Sequence, residues 1–181
     1  MSALAGPLFA AALLLAVAGG LKVARPRSAA LAMRSAGLPG SVLIGRLLGV
    51  AEIAIAVAAL AFGGRVAAAL VAACYLGFAG FVVRLRRRAG AQADCGCFGA
   101  EASPASPVHV VLNLVLAAVS LAAVVWPTEG IVDVLADSPA AGVPFLGFTL
   151  LLTWLLLVAF TVVPDLLDAQ HDVGTAGRGA S

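Results

Sequence analysis

The chain has 181 residues, 62% of them hydrophobic and only 11% charged, and its mean hydropathy is +1.10. Soluble domains are about half apolar and about a quarter charged. That contrast excludes a soluble globular domain, a disordered chain and a nucleic-acid binder, and leaves an integral membrane protein whose apolar exterior lies against the lipid bilayer. The net charge of +2 is small, so its distribution along the chain is what carries information.

A membrane-crossing helix needs roughly 20 mostly apolar residues. The first such stretch is 3–21, with no charge inside it. No basic segment of the kind that opens a signal peptide stands before it, so it is expected to remain in the membrane. Residues 22–40 carry Lys22, Arg25, Arg27 and Arg34 among alanines. They read as a stretch lying along the interface, with Leu31, Met33 and Leu38 facing lipid and the basic side chains reaching to headgroups. The second span, 41–62, holds Arg46 near its start and Glu52 deeper in, and Gly63 and Gly64 make a turn into the third, 66–83. Arg84, Arg86, Arg87 and Arg88 follow, then a loop at 89–106 containing Asp-Cys-Gly-Cys-Phe-Gly at 94–99. Ser106 and Pro107 are an N-cap and first helical residue for the fourth span, 107–126. An acidic loop with Glu129, Asp133 and Asp137 leads to a fifth apolar run, 143–163, and the tail 164–181 is polar and glycine-rich, with the composition of a disordered segment. No strand alternation is present. The expected fold is an all-α polytopic bundle of four core helices plus a fifth, occupying residues 1–163.

Positive charges collect on the cytoplasmic side of membrane proteins. If the first connection and the Cys-Gly-Cys loop share a side, that side gathers nearly all the basic residues, and the other keeps Arg65 with the three acidic residues. This predicts a cytoplasmic side for the loop.

Cys95 and Cys97 are the sharpest chemical signal. Thiols at i and i+2 reach disulfide geometry only over a bent backbone, and Gly96 permits the bend because it lacks a Cβ. A strained disulfide is readily reduced or exchanged. The fourth helix starts shortly after, and its N-terminus together with the arginines favours a thiolate, whereas Asp94 and Glu101 oppose it. The pair therefore reads as a redox-active dithiol, with thiol–disulfide oxidoreductase chemistry. The alternatives are copper handling by two soft ligands, with His109 as the only nearby further donor, and a non-catalytic accessory subunit. Glu52 is an ionisable group within a span, which is functional by default; its structural role would be a partner for Arg46, another arginine, Tyr75 or Asn113. His109 and Asn113 stand at i and i+4 on one face of the fourth span, where they line a polar spot or bond between helices. His109 is near enough to the interface to be solvated, and Cys74 reads as a small packing residue. No His-Glu-x-x-His motif, phosphate loop, dinucleotide fingerprint or Ser/His/Asp arrangement is legible.

The run Asp-Cys-Gly-Cys-Phe-Gly-Ala at 94–100, followed by His-Val-Val-Leu-Asn-Leu-Val-Leu at 109–116, resembles the methylamine utilisation protein MauE family, part of the wider DoxX-like group of small four-helix membrane proteins. Gly-Arg-Leu-Leu-Gly-Val-Ala-Glu-Ile at 45–53 and Tyr-Leu-Gly-Phe-Ala-Gly-Phe at 75–81 are also similar to it. The resemblance covers about the first two-thirds of the chain. It implies a bacterial cell-membrane protein that supports maturation of methylamine dehydrogenase beside a thioredoxin-like partner, with Cys95 and Cys97 as the redox pair and Glu52 and Asn113 at family-like positions without an assigned role. DoxX-like relatives include a subunit associated with quinone-linked thiosulfate oxidation, so a quinone is a candidate electron partner, although the proposed chemistry requires no cofactor. Maturation of that dehydrogenase is periplasmic, which conflicts with the side predicted from charge. The fifth span departs from the four-helix pattern.

Overall fold

Hydrocarbon offers the backbone no hydrogen-bond partners, so a segment that crosses it must satisfy its amides internally. The computed structural model describes residues 4–90, 93, 105–137, 139–164 and 166, and among these the regular structure is helical. In chain order the helices are α1 (Ala5–Ala24), α2 (Pro26–Ser35), α3 (Val42–Phe62), α4 (Gly64–Ala89), α5 (Pro107–Val125), α6 (Ile131–Asp137) and α7 (Pro139–Thr161). Five of them, α1, α3, α4, α5 and α7, are long and apolar enough to cross a membrane. The chain is an all-α polytopic bundle, as its hydropathy pattern predicts.

Local chemistry sets the boundaries. Arg25 leaves the helical region (φ −128°, ψ 61°) because the proline that follows disfavours it there, and Pro26 then opens α2 at a position where no amide hydrogen is required. The turn after α2 uses Gly37 at φ +68°, and the α3–α4 turn uses Gly63 and Gly64 at φ +60° and +79°, conformations open to glycine without steric cost. Ser41 caps α3 by accepting from the Ile44 amide at 3.1 Å. Ser106 caps α5 by accepting from the Val108 amide at 3.3 Å, with Pro107 at the first helical position.

Three expectations change. Lys22 does not begin an interfacial stretch: it lies in the last turn of α1 and is buried. The segment after it is a short helix whose Ala29, Ala30 and Ala32 are buried and whose Leu31 is exposed. The third span continues through the arginines, so Arg84, Arg86, Arg87 and Arg88 belong to the last turns of α4, where basic side chains complement the helix dipole. The acidic connection likewise contains a helix, α6, which carries Asp133 and Asp137.

α1 is the central element. It packs chiefly on α3 and also meets α2, α4, α5 and α7, while α4 pairs most closely with α5. The main apolar cluster joins Leu14 and Leu15 of α1 to Ala56 and Ala59 of α3, Val71 and Tyr75 of α4, Leu116 of α5 and Phe160 of α7. Tyr75 crosses this core and donates its hydroxyl proton to the Ala11 carbonyl at 2.7 Å.

The two ends of the bundle differ in charge. At one end the Gly64 amide donates to the Thr128 carbonyl at 2.8 Å, which ties the α3–α4 turn to the segment carrying Glu129. At the other, the Arg84 Nε donates to the Ala36 carbonyl at 2.8 Å and the Arg86 guanidinium donates to the Ala105 carbonyl. The basic connection after α1 and the basic end of α4 therefore share one end, as the charge distribution requires.

Candidate functional site

Where α1 crosses α3, two glycines meet. A Cβ placed on Gly19 would lie 2.7 Å from the Gly49 carbonyl oxygen, and one on Gly49 would lie 2.6 Å from the Gly19 carbonyl oxygen. Any side chain here would force the helices apart; without one, the backbones approach closely, the usual way helices associate in lipid. One turn further along α3 toward its start, Gly45 receives the Pro26 carbonyl of α2, 2.9 Å from where its Cβ would be. The α3 face is thus a Gly-x-x-x-Gly stripe, 45 to 49, onto which α1 and α2 settle.

That crossing places the charges. Lys22 is three residues beyond Gly19 and Glu52 three beyond Gly49, so each stands one turn past the contact and on the same face as its glycine. The Lys22 Nζ lies 2.8 Å from Glu52 Oε2, with side chains 5% and 1% exposed. The ammonium also lies 4.9 Å from the centroid of the Phe78 ring of α4, within cation–π range. Both charges are buried, so each is tolerated because the other is there. Glu52 Oε1 is buried and has no hydrogen-bond partner.

The remaining residues singled out from the sequence fall as follows. Glu52 is a buried bundle residue, as its position within a span suggests, but its partner is Lys22 rather than an arginine, Tyr75 or Asn113. Tyr75 is engaged with Ala11, and Asn113 donates through Nδ2 to the His109 carbonyl at 2.6 Å. His109 is 1% exposed, which replaces the solvated position expected for it. Its Nδ1 accepts from the Ser106 amide at 3.3 Å, completing a capping box with the serine, and its ring sits 5.8 Å from that of Phe160. Asn113 shares a small void of about 20 Å³ with Lys22, Tyr75, Phe78 and Phe160. Cys74 is partly buried and carries a free thiol.

Cys95 and Cys97, with Asp94 and Glu101, lie outside the described residues. Their flanks are described: the Ala105 amide donates to the Ala93 carbonyl at 2.9 Å, closing the chain across residues 94–104. Both flanks belong to an apolar cluster with Ala36, Leu38, Phe81, Val82 and Leu85. The residues that flank the two cysteines, Ala93 and Ala105, therefore lie together at the basic end of the bundle.

Lys22 is the residue that sequence reasoning missed. A lysine at the end of an apolar run looks like a helix-end anchor. The available signal was the pairing of glycine with charge at the same three-residue spacing, Gly19 with Lys22 and Gly49 with Glu52.

Neither a curated protein nor a solved structure matches the chain. The family described as methylamine utilisation protein MauE matches residues 1–127, well over half of the 181. The matched stretch contains Lys22, Glu52, Cys74, Cys95, Cys97, His109 and Asn113 and stops before α6 and α7. The chain thus belongs to the methylamine utilisation protein MauE family and is a multi-pass membrane protein of that type.

Proposed function

We propose that this protein exchanges thiols and disulfides with a thioredoxin-like partner at the surface of a bacterial cell membrane, through Cys95 and Cys97, in support of disulfide formation in that partner's clients. The observation that carries the reading is the Cys-Gly-Cys spacing in a segment whose two ends are held together at the basic end of the bundle. Family membership supports it further.

In the oxidising direction a thiolate of the partner attacks one sulfur of the Cys95–Cys97 disulfide. A mixed disulfide forms and the other cysteine leaves as a thiolate. The partner's second thiol then attacks the mixed disulfide, so the partner is oxidised by two electrons and this chain is left as a dithiol. The reverse sequence reduces the partner by the same steps. Cys97 lies nearer the start of α5 and is the more acidic thiol in this reading. The arginines at that end favour a cytoplasmic side for the exchange.

Thiol alkylation in intact membrane vesicles, with a membrane-impermeant maleimide applied from either face before and after mild reduction, tests the reading. Cys95 and Cys97 are expected to label only after reduction and only from the cytoplasmic face. Labelling from the outer face would overturn the sidedness. Labelling unaffected by reductant or oxidant, together with full cellular function of the Cys95→Ser, Cys97→Ser double variant, would overturn the exchange.

A further inference from the structure

Between α1, α2, α3 and α4 lies a cavity of about 320 Å³, at the lower end of the size range of small-molecule sites. Its walls are apolar, among them Met33, Leu38, Leu48 and Phe81, and its polar groups are Lys22, Glu52 and the thiol of Cys74. Three further features bear on what it holds.

The first is an unmet acceptor. Glu52 is 1% exposed, its Oε2 is engaged by Lys22, and its Oε1 has no partner. A buried carboxylate oxygen left unpaired is destabilising; Glu52 lines the cavity, and a rotation of its carboxyl presents Oε1 to a donor bound there. The second is the door. Leu48 of α3 and Ala73 and Gly77 of α4 line the cavity and are also exposed on the outer face of the bundle. In a five-span membrane protein that face looks onto lipid. The space beside Gly77 is open, since a Cβ on it would meet nothing within 4 Å. The third is the depth of the charge pair: a ligand entering between α3 and α4 passes apolar side chains before it reaches Glu52.

A molecule that satisfies all three must be dissolved in the bilayer, must have an apolar body, and must carry a hydroxyl to donate. We propose that this cavity is a binding site for a membrane-dissolved hydroxylated molecule whose hydroxyl donates to Glu52 Oε1. The ammonium of Lys22, held at Oε2, adds a positive charge that favours the oxygen of that hydroxyl. Two sources supply this chemistry, a hydroxylated ring of the quinol kind and an alcohol on a prenyl or fatty chain. Nothing in the site depends on Cys95 or Cys97, so it stands or falls apart from the exchange reaction.

The full chain with Cys95 and Cys97 both replaced by serine, in lipid nanodiscs under anaerobic conditions, is titrated separately with duroquinol, geraniol and durene while its thermal unfolding is followed. Durene matches the ring of duroquinol without its hydroxyls. At about a hundredfold excess over half-saturation, a ligand specific for the folded state should raise the melting temperature by about 5 °C or more. Saturable elevation by duroquinol assigns the ring, and elevation by geraniol alone assigns the chain alcohol. Gly77→Leu, which adds a side chain at the door where a Cβ meets nothing within 4 Å, should abolish the shift while leaving the unliganded melting temperature close to that of the parent. Lys22→Met combined with Glu52→Leu should abolish it too. Equal elevation by durene, no elevation by either hydroxylated compound, or a shift that survives Gly77→Leu would overturn the assignment.

Discussion

α1 and α7 are both long, uncharged over most of their length and able to cross a bilayer, yet they occupy opposite kinds of place. In the most apolar stretch of α1, 56% of residues are buried inside the protein; in that of α7 the share is 11%. Hydropathy does not separate them. The share of small residues does: ten of the twenty residues of α1 are alanine or glycine, set beside the buried Phe9, Leu14 and Leu15, whereas α7 has five among twenty-three and carries Phe145, Phe148, Trp154 and runs of leucines. Lipid tails are as apolar as leucine, so large apolar side chains gain little by leaving lipid for protein. Small residues gain close backbone contact, and the α1–α3 crossing at Gly19 and Gly49 is the clearest instance. Pro144 inside α7 also removes an amide donor, which a peripheral helix tolerates more readily than the central one. The family match ends before α7, so the matched region is also the part that encloses the ion pair.

The contrast breaks most sharply at the charges that only the α1 side buries. Replacing Lys22 by Met, or Glu52 by Leu, leaves one unpaired buried charge and is expected to cost about 3–5 kcal/mol. Making both changes removes both charges and should recover most of that loss. Equilibrium unfolding in detergent of the two single variants and the double variant forms the cycle. Additive losses, with the double variant the least stable of the three, would mean that the 2.8 Å contact does not couple the two residues.

A smaller effect is expected at the crossing. Gly49→Ala puts a methyl group 2.6 Å from the Gly19 carbonyl oxygen, so α1 and α3 must separate, at about 1–3 kcal/mol. Gly20→Ala is the matched control one residue along from Gly19, because its new methyl group meets nothing within 4 Å and alanine is the better helix former. Gly49→Ala should lower the melting temperature while Gly20→Ala holds or raises it. Equal shifts in the two variants would remove close approach as the reason α1 sits at the centre.

The spans were legible because they depend on local composition alone: twenty apolar residues in a row need no knowledge of neighbours. The sharing of one end by the basic connection after α1 and the arginines of α4 was legible too, since charge segregation follows the chain's alternation across the membrane. The partners were not. Glu52 stood out as a carboxyl within a span, but choosing Lys22 over Arg46 requires the register between α1 and α3, which backbone contact at two glycines sets. Arg46 lies on the exposed side of α3 while Gly45, Gly49 and Glu52 face inward. His109 looked solvated because it is near a helix start, yet its ring turns back to accept from the Ser106 amide. The cavity is a gap between four helices and has no representation in any one of them.

The smallest effect belongs to the outer face of α7. Trp154 is 58% exposed, and its exposed surface touches lipid in the folded protein and in the dissociated helix alike. Trp154→Ala therefore changes little between the two states, and its expected cost is within about 0.5 kcal/mol. A soluble protein would pay far more for deleting a tryptophan from its core. The measurement is the same detergent unfolding used for the ion pair, and the informative quantity is its ratio to the Lys22→Met loss. A cost at Trp154 approaching that of Lys22 would show that α7 is held by its large side chains after all. The bundle would then be organised by apolar bulk, with the glycine crossing a secondary feature.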